Sequence, residues 1–137
     1  MKVRNMKIED FDDIYKLWLK AELVVEDYQT EKKDAKLMLK FNPKTCFVLC
    51  KDKKILGSVF GTFNGRRAWI YHLAIHPAIQ NKGYGSMLLA KTLKILKGLG
   101  AEKSQLWVRK DNIKVLGFYQ NVGFSQMDYL IPMGKNL

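Results

Sequence analysis

Gln80-Asn81-Lys82-Gly83-Tyr84-Gly85 joins two runs of opposite character. Before it, Trp69 to Ile75 is apolar and strand-like; after it, Ser86 to Leu99 carries apolar residues at helical spacing. A glycine-bearing turn that opens a helix is a ready anion site. Glycine lets the backbone approach a ligand closely, and the free N–H groups of the first helical turn point at it. That arrangement suits a pyrophosphate, and a strand–loop–helix unit of this kind belongs to a domain mixing sheet and helix.

Two nucleotide-binding patterns fail on spacing. A P-loop needs Gly-x-x-x-x-Gly-Lys-Ser/Thr, which is absent. A dinucleotide fingerprint needs Gly-x-Gly-x-x-Gly followed by an acid about 20 residues later. Here Leu88 stands where the third glycine belongs, and the nearest acid, Glu102, opens the next strand.

Working outward, Lys2 to Met6 reads as a short strand. Asp10 is placed to cap a helix whose Phe11, Ile14, Tyr15, Trp18 and Leu19 recur at helical spacing. Glu22 to Gln29 reads as a loop, and Thr30 as the cap of a second helix ending at Asn42-Pro43. Thr45–Cys50, Ile55–Phe63 and Ala68–Ile75 form a meander, turned at Asp52-Lys53-Lys54 and Asn64-Gly65. After the Ser86–Leu99 helix come a strand over Ser104–Val108 and a short helix to Gln120, capped by Asp111 or Asn112. A last strand is expected over Phe124–Ile131. The expected class is α/β (α+β): one domain over residues 1–137, with a central mixed, mostly antiparallel sheet flanked by about four helices.

Bulk composition narrows the function classes. Hydrophobic residues make up 47% of the 137, enough for a packed core. No apolar run reaches the roughly 18 residues that span a bilayer, and the N-terminus lacks an apolar stretch after its charges. The expectation is a cytoplasmic protein with no membrane partner. Cys46 and Cys50 lie on one expected strand with Cα atoms roughly 13 Å apart. A disulfide needs less than about 7 Å, so both read as core thiols. Their spacing suits no zinc site, and no metal is expected. The net charge of +11 could serve nucleic acid, a membrane surface or an acidic ligand. The basic residues are scattered, without a run of five or an RNA-binding motif. Nucleic acid is therefore not the expected partner. An exposed terminal strand could pair two copies into a homodimer.

The ordered pattern says more than the glycines alone. His76-Pro77-Ala78-Ile79-Gln80-Asn81-Lys82-Gly83-Tyr84-Gly85-Ser86-Met87-Leu88-Leu89 resembles the signature of the GNAT superfamily of acetyl-CoA-dependent N-acetyltransferases, Gln/Arg-x-x-Gly-x-Gly/Ala between a strand and a helix. Downstream, Asp111-Asn112, Val115-Leu116-Gly117-Phe118-Tyr119 and Gly123-Phe124 resemble the family's Asn…Phe-Tyr…Gly-Phe segment. The element order matches from end to end, most closely that of small single-domain bacterial members.

The resemblance implies acetyl-CoA as cosubstrate and an amine as acceptor. It implies that Leu73, Ala74 and Ile75 offer backbone groups to the pantetheine arm. Gln80, Asn81, Lys82, Gly83, Tyr84, Gly85 and Ser86 would wrap the pyrophosphate, and Asn112 would contact the cofactor arm. Tyr119 would protonate the departing thiolate. Several family members place a Glu on the strand before the loop; counting back from Gln80, one such position falls on Trp69. The segment Trp69-Ile70-Tyr71-His72 has no carboxylate, so the base is open. Histidine as a type titrates near pH 6.5, which makes His72 a candidate. Water, Glu22, Glu26 or Asp27 are the alternatives. Trp18, Tyr28, Trp69, Tyr71 and Tyr129 are candidate walls of the acceptor pocket. The missing carboxylate also motivates a second reading, a module that binds CoA or an acyl-CoA without turnover.

Overall fold

A computed structural model describes residues 1–137, and contact density divides the chain into two units, Met1–Leu106 and Trp107–Leu137. The first unit begins with strand β1 (Lys2–Asn5) and a single helical turn at Ile8–Asp10, leading into helix α1 (Phe11–Lys20). Phe11, Ile14, Leu17 and Trp18 are buried along α1, so Leu17, and not the expected Leu19, turns inward. Asp10 precedes α1 but does not cap it. Its carboxylate instead takes two hydrogen bonds from the Arg4 guanidinium, both 2.8 Å, and one from the Lys7 N–H. That bidentate pair ties β1 to the start of α1.

Helix α2 (Tyr28–Phe41) starts two residues before the expected cap. Asp27 is the cap: its carboxylate accepts from the Thr30 N–H at 3.0 Å and from the Thr30 hydroxyl at 2.8 Å. Thr30 is the third residue of the helix, where its amide needs such an acceptor.

The meander is β2 (Cys46–Lys51), β3 (Lys54–Phe63) and β4 (Ala68–Ile75). Helix α3 (Tyr84–Gly98) follows, starting two residues before the expected Ser86 and placing Gly85 inside the helix. A strand of two residues, β5 (Ser104–Gln105), closes the unit and stops short of the expected Val108. The five strands run in the order β1-β2-β3-β4-β5, antiparallel except for the parallel β4–β5 pair. This mixed, mostly antiparallel sheet with four helices in the chain is the expected class.

Alternation along β3 sends its residues to two layers. Ser58 meets α1, where its hydroxyl accepts from the Trp18 indole N–H at 2.9 Å. Gly61 faces α3: a Cβ there would lie 2.5 Å from Thr92 Cγ2 and 2.7 Å from the Thr45 carbonyl oxygen. Only glycine permits that approach. Cys46 and Cys50 are free and buried, as expected of core thiols, and burial pushes the Cys46 thiol up to about 12. No helix is long and apolar enough to cross a membrane.

The second unit holds a turn of 3-10 helix (Lys110–Val115) and helix α4 (Leu116–Asn121). Neither Asp111 nor Asn112 caps α4. Asp111 is held by Arg109 at 2.9 and 3.0 Å, and Asn112 sits at a kink with non-helical φ −122° and ψ 39°. The strand expected over Phe124–Ile131 does not form. Gln126-Met127-Asp128 interrupts its alternation, aspartate disfavours strand, and a turn forms there with Leu130 N–H on the Met127 carbonyl.

Candidate active site

Strand β4 is irregular where it matters. Its register against β3 jumps between Ser58↔Ala74 and Phe60↔Tyr71, so β4 carries one extra residue in that interval. The bulge includes His72, whose φ is +48°, a left-handed conformation that only a few per cent of non-glycine residues adopt. The strain is held from three sides. The Ser58 hydroxyl donates to the His72 carbonyl at 3.2 Å, and Trp18 donates to Ser58 in turn. The Trp18 ring stands edge-on to the imidazole, centroids 4.5 Å apart, with Phe60 at 6.4 Å. Glu31, buried on α2, places Oε1 3.0 Å and Oε2 3.2 Å from His72 Nε2.

Beyond the bulge, the backbone of β4 has one strand neighbour only. β5 pairs with Ala68 and Trp69 and no further, whereas β3 continues to Ile75. Leu73, Ala74 and Ile75 therefore lie on a strand edge with no fifth-strand partner. The chain then leaves through His76, whose Nδ1 accepts from the Ala78 N–H at 3.1 Å, a turn role. The Gln80 side chain donates to the Ile75 carbonyl at 2.8 Å and fastens the loop to the end of β4.

The loop itself combines positive-φ backbone with an open helix start. Gly83 has φ +88° and Asn81 +61°. A Cβ built on Gly83 meets nothing within 4 Å, so glycine serves the backbone angle there, not a crowded wall. No side chain caps α3, and its first turn carries no acid. Its leading N–H groups thus have no carbonyl partner in the helix and face outward with the positive end of the helix dipole. Lys82 adds a cation to the loop. These residues fit a pyrophosphate.

Residues 71–86 thus gather the bulge, the free strand edge and the loop along one stretch of chain. The structure adds to them Glu31, Ser58 and Trp18, two of which the sequence reading passed over. Glu31 had a signal. It lies with Tyr28, Ala35 and Met38 on the inward stripe of α2, and a charge on a buried stripe must find a partner. Of the acids considered instead, Asp27 is engaged as the cap of α2, and the backbone N–H of Glu26 donates to Glu31 Oε2 at 3.0 Å. Trp18 and Tyr28 belong to an aromatic core with Phe11 and Tyr15. Trp69 and Tyr71 stack on each other, 6.3 Å apart at 16°, and Tyr71 is exposed.

In the second unit, Tyr119 packs edge-on against Phe118 and Phe124 at 5.1 and 5.9 Å. Burial pushes its phenol above the ordinary 10.0, which keeps it a proton donor at neutral pH. Its carbonyl accepts from the N–H groups of Val122 and Phe124, closing α4 around Gly123 at φ +101°.

A model of the Acetyltransferase (GNAT) family matches residues 10–124. An acetyltransferase of Pectobacterium atrosepticum is 30% identical over all 137 residues and 96% of its own length. Among solved structures, an aminoglycoside 6'-N-acetyltransferase of Acinetobacter haemolyticus superposes with a TM-score of 0.80 at 14% identity, over 100% of this chain and 99% of its own. The PaiA N-acetyltransferase of Thermoplasma acidophilum, in complex with coenzyme A, gives 0.76 at 19% identity over 90% and 89%.

Proposed function

The chain belongs to the GNAT family of acetyltransferases, and from that premise we propose that it moves the acetyl group of acetyl-CoA to a primary amine, on a small molecule or a protein, as a cytoplasmic enzyme. The observation that carries this reading is the β4 bulge: a side chain able to take a proton, at the head of an unpaired strand edge, a few residues before an open helix N-terminus.

Each part has a task. The loop from Gln80 to Ser86 holds the pyrophosphate through backbone N–H groups, the helix dipole and Lys82. The edge at Leu73, Ala74 and Ile75 takes the pantetheine arm by strand addition, and Asn112 contacts the same arm. The amine nitrogen attacks the thioester carbonyl carbon. A backbone N–H of the bulge stabilises the oxyanion as the tetrahedral intermediate forms. The N–C bond forms, the C–S bond breaks, and the attacking nitrogen gives up one proton to His72. Tyr119 supplies one proton to the departing sulfur, so amide and free thiol are the products.

Thiol release with acetyl-CoA across polyamines, amino acids, aminoglycosides and peptides tests the reading. Turnover on at least one amine class is expected, and Tyr119→Phe lowers kcat far more than acetyl-CoA affinity. Equal rates in mutant and wild type remove the acid role. The binding-module alternative predicts thermal stabilisation by acetyl-CoA with no thiol release on any amine. Its motive was a strand without a carboxylate, and Glu31 behind His72 weakens that motive.

A further inference from the structure

Glu31 is the most buried charged side chain near the bulge, 5% exposed, and the transfer reaction as described gives it no task. Its two oxygens answer two donors. Oε2 accepts from the Glu26 N–H at 3.0 Å, while Oε1 stands 3.0 Å from His72 Nε2. A carboxylate only accepts, so the hydrogen of that bond must sit on Nε2. The other ring nitrogen, Nδ1, makes no hydrogen bond within the chain. No buried side-chain nitrogen or oxygen lacks a partner, so Nδ1 has access to solvent. The ring cannot turn away, since Trp18 and Phe60 flank it and its backbone is fixed through Ser58.

We propose that Glu31 is a positioning residue that holds His72 with its proton on Nε2, leaving the Nδ1 lone pair to accept the proton of the acceptor amine. This rests on the acetyl-transfer reading above. The same carboxylate stabilises the imidazolium after transfer, because the charge then forms 3.0 Å from a buried carboxylate oxygen. A buried carboxylate reached from a separate helix replaces the carboxylate that β4 does not carry. Glu31→Gln is the informative change. An amide has a single oxygen for two donors, so satisfying the Glu26 N–H turns the NH2 toward Nε2 and drives the ring proton to Nδ1.

Two-bond proton–nitrogen NMR correlations on the nitrogen-15-labelled full chain read the tautomer directly, without any acceptor. Wild-type His72 is expected with a protonated Nε2 and an unprotonated Nδ1. Glu31→Gln should raise the Nδ1-protonated fraction and lower kcat at least about tenfold, with the KM for acetyl-CoA unchanged. Glu31→Asp, which keeps an acceptor-only group, should retain the wild-type tautomer; it serves too if the Gln variant does not fold. A wild-type proton on Nδ1, or a Gln variant with wild-type tautomer and kcat, overturns the proposal. Wild-type turnover in His72→Ala would instead sink the base assignment beneath it, and the tautomer result separates the two failures.

Discussion

The glycine loop and the β4 bulge lie a few residues apart in the chain and are made of different materials. The loop works with backbone: two residues at positive φ, an uncapped helix start, and glycine where a Cβ would meet nothing. The bulge works with side chains drawn from α1, α2 and β3, which hold one strained histidine between them. On the proposed reading, a backbone cradle recognises a shape common to every CoA thioester, and a side-chain cluster sets which proton moves and where. Donor binding and proton transfer should therefore come apart under mutation.

The largest effect should follow His72→Ala. With the base removed, kcat is expected to fall on the order of 10²-fold or more, read by thiol release on whichever amine proves active. Next, Gly61→Ala tests the frame behind both regions. A methyl 2.5 Å from Thr92 Cγ2 and 2.7 Å from a backbone oxygen must displace α3 from β3, costing about 1–3 kcal/mol in a urea melt. Ser58→Ala removes the link between Trp18 and the His72 backbone and leaves the buried indole N–H without an acceptor, costing about 1–3 kcal/mol. Here kcat should fall while the acetyl-CoA KM stays, because the damage is confined to the bulge.

The smallest effect is electrostatic and far from either region. Desolvation pushes the Asp10 carboxyl up, but Arg4 and the Lys7 N–H together outweigh it and hold it below its ordinary 3.8. Its stabilising contribution is then present above that value and lost as pH falls through the lower folded one. Asp10→Asn should cost about 0.2–1 kcal/mol at pH 6 and progressively less as pH falls below the ordinary 3.8, by urea midpoints across that range.

The two regions were also unequally legible from sequence. The loop is contiguous, so its glycines and the strand before it can be read in order, and the helix start to within two residues. The meander and α1 follow likewise from turn residues and periodicity. The bulge could not be found that way. It needs Glu31 and His72, 41 positions apart, to meet across a helix–sheet contact, and a register jump that no single residue announces. The expected strand at Phe124–Ile131 failed for a local reason, a turn at Met127–Leu130 where Gln126 and Asp128 interrupt the apolar residues. Thr30 was misread as a cap because Asp27, three residues earlier, starts the helix sooner and accepts from both the Thr30 N–H and the Thr30 hydroxyl.

Calorimetric titration of acetyl-CoA into wild type, His72→Ala and Gly83→Val, paired with kcat for each, tests the division most directly. A valine at φ +88° costs about 1–2 kcal/mol of backbone strain and places a branched side chain in the cradle. Gly83→Val should lose at least about tenfold in acetyl-CoA affinity, while His72→Ala binds acetyl-CoA as wild type does and turns over little. Wild-type affinity in Gly83→Val, or lost acetyl-CoA binding in His72→Ala, would contradict the account.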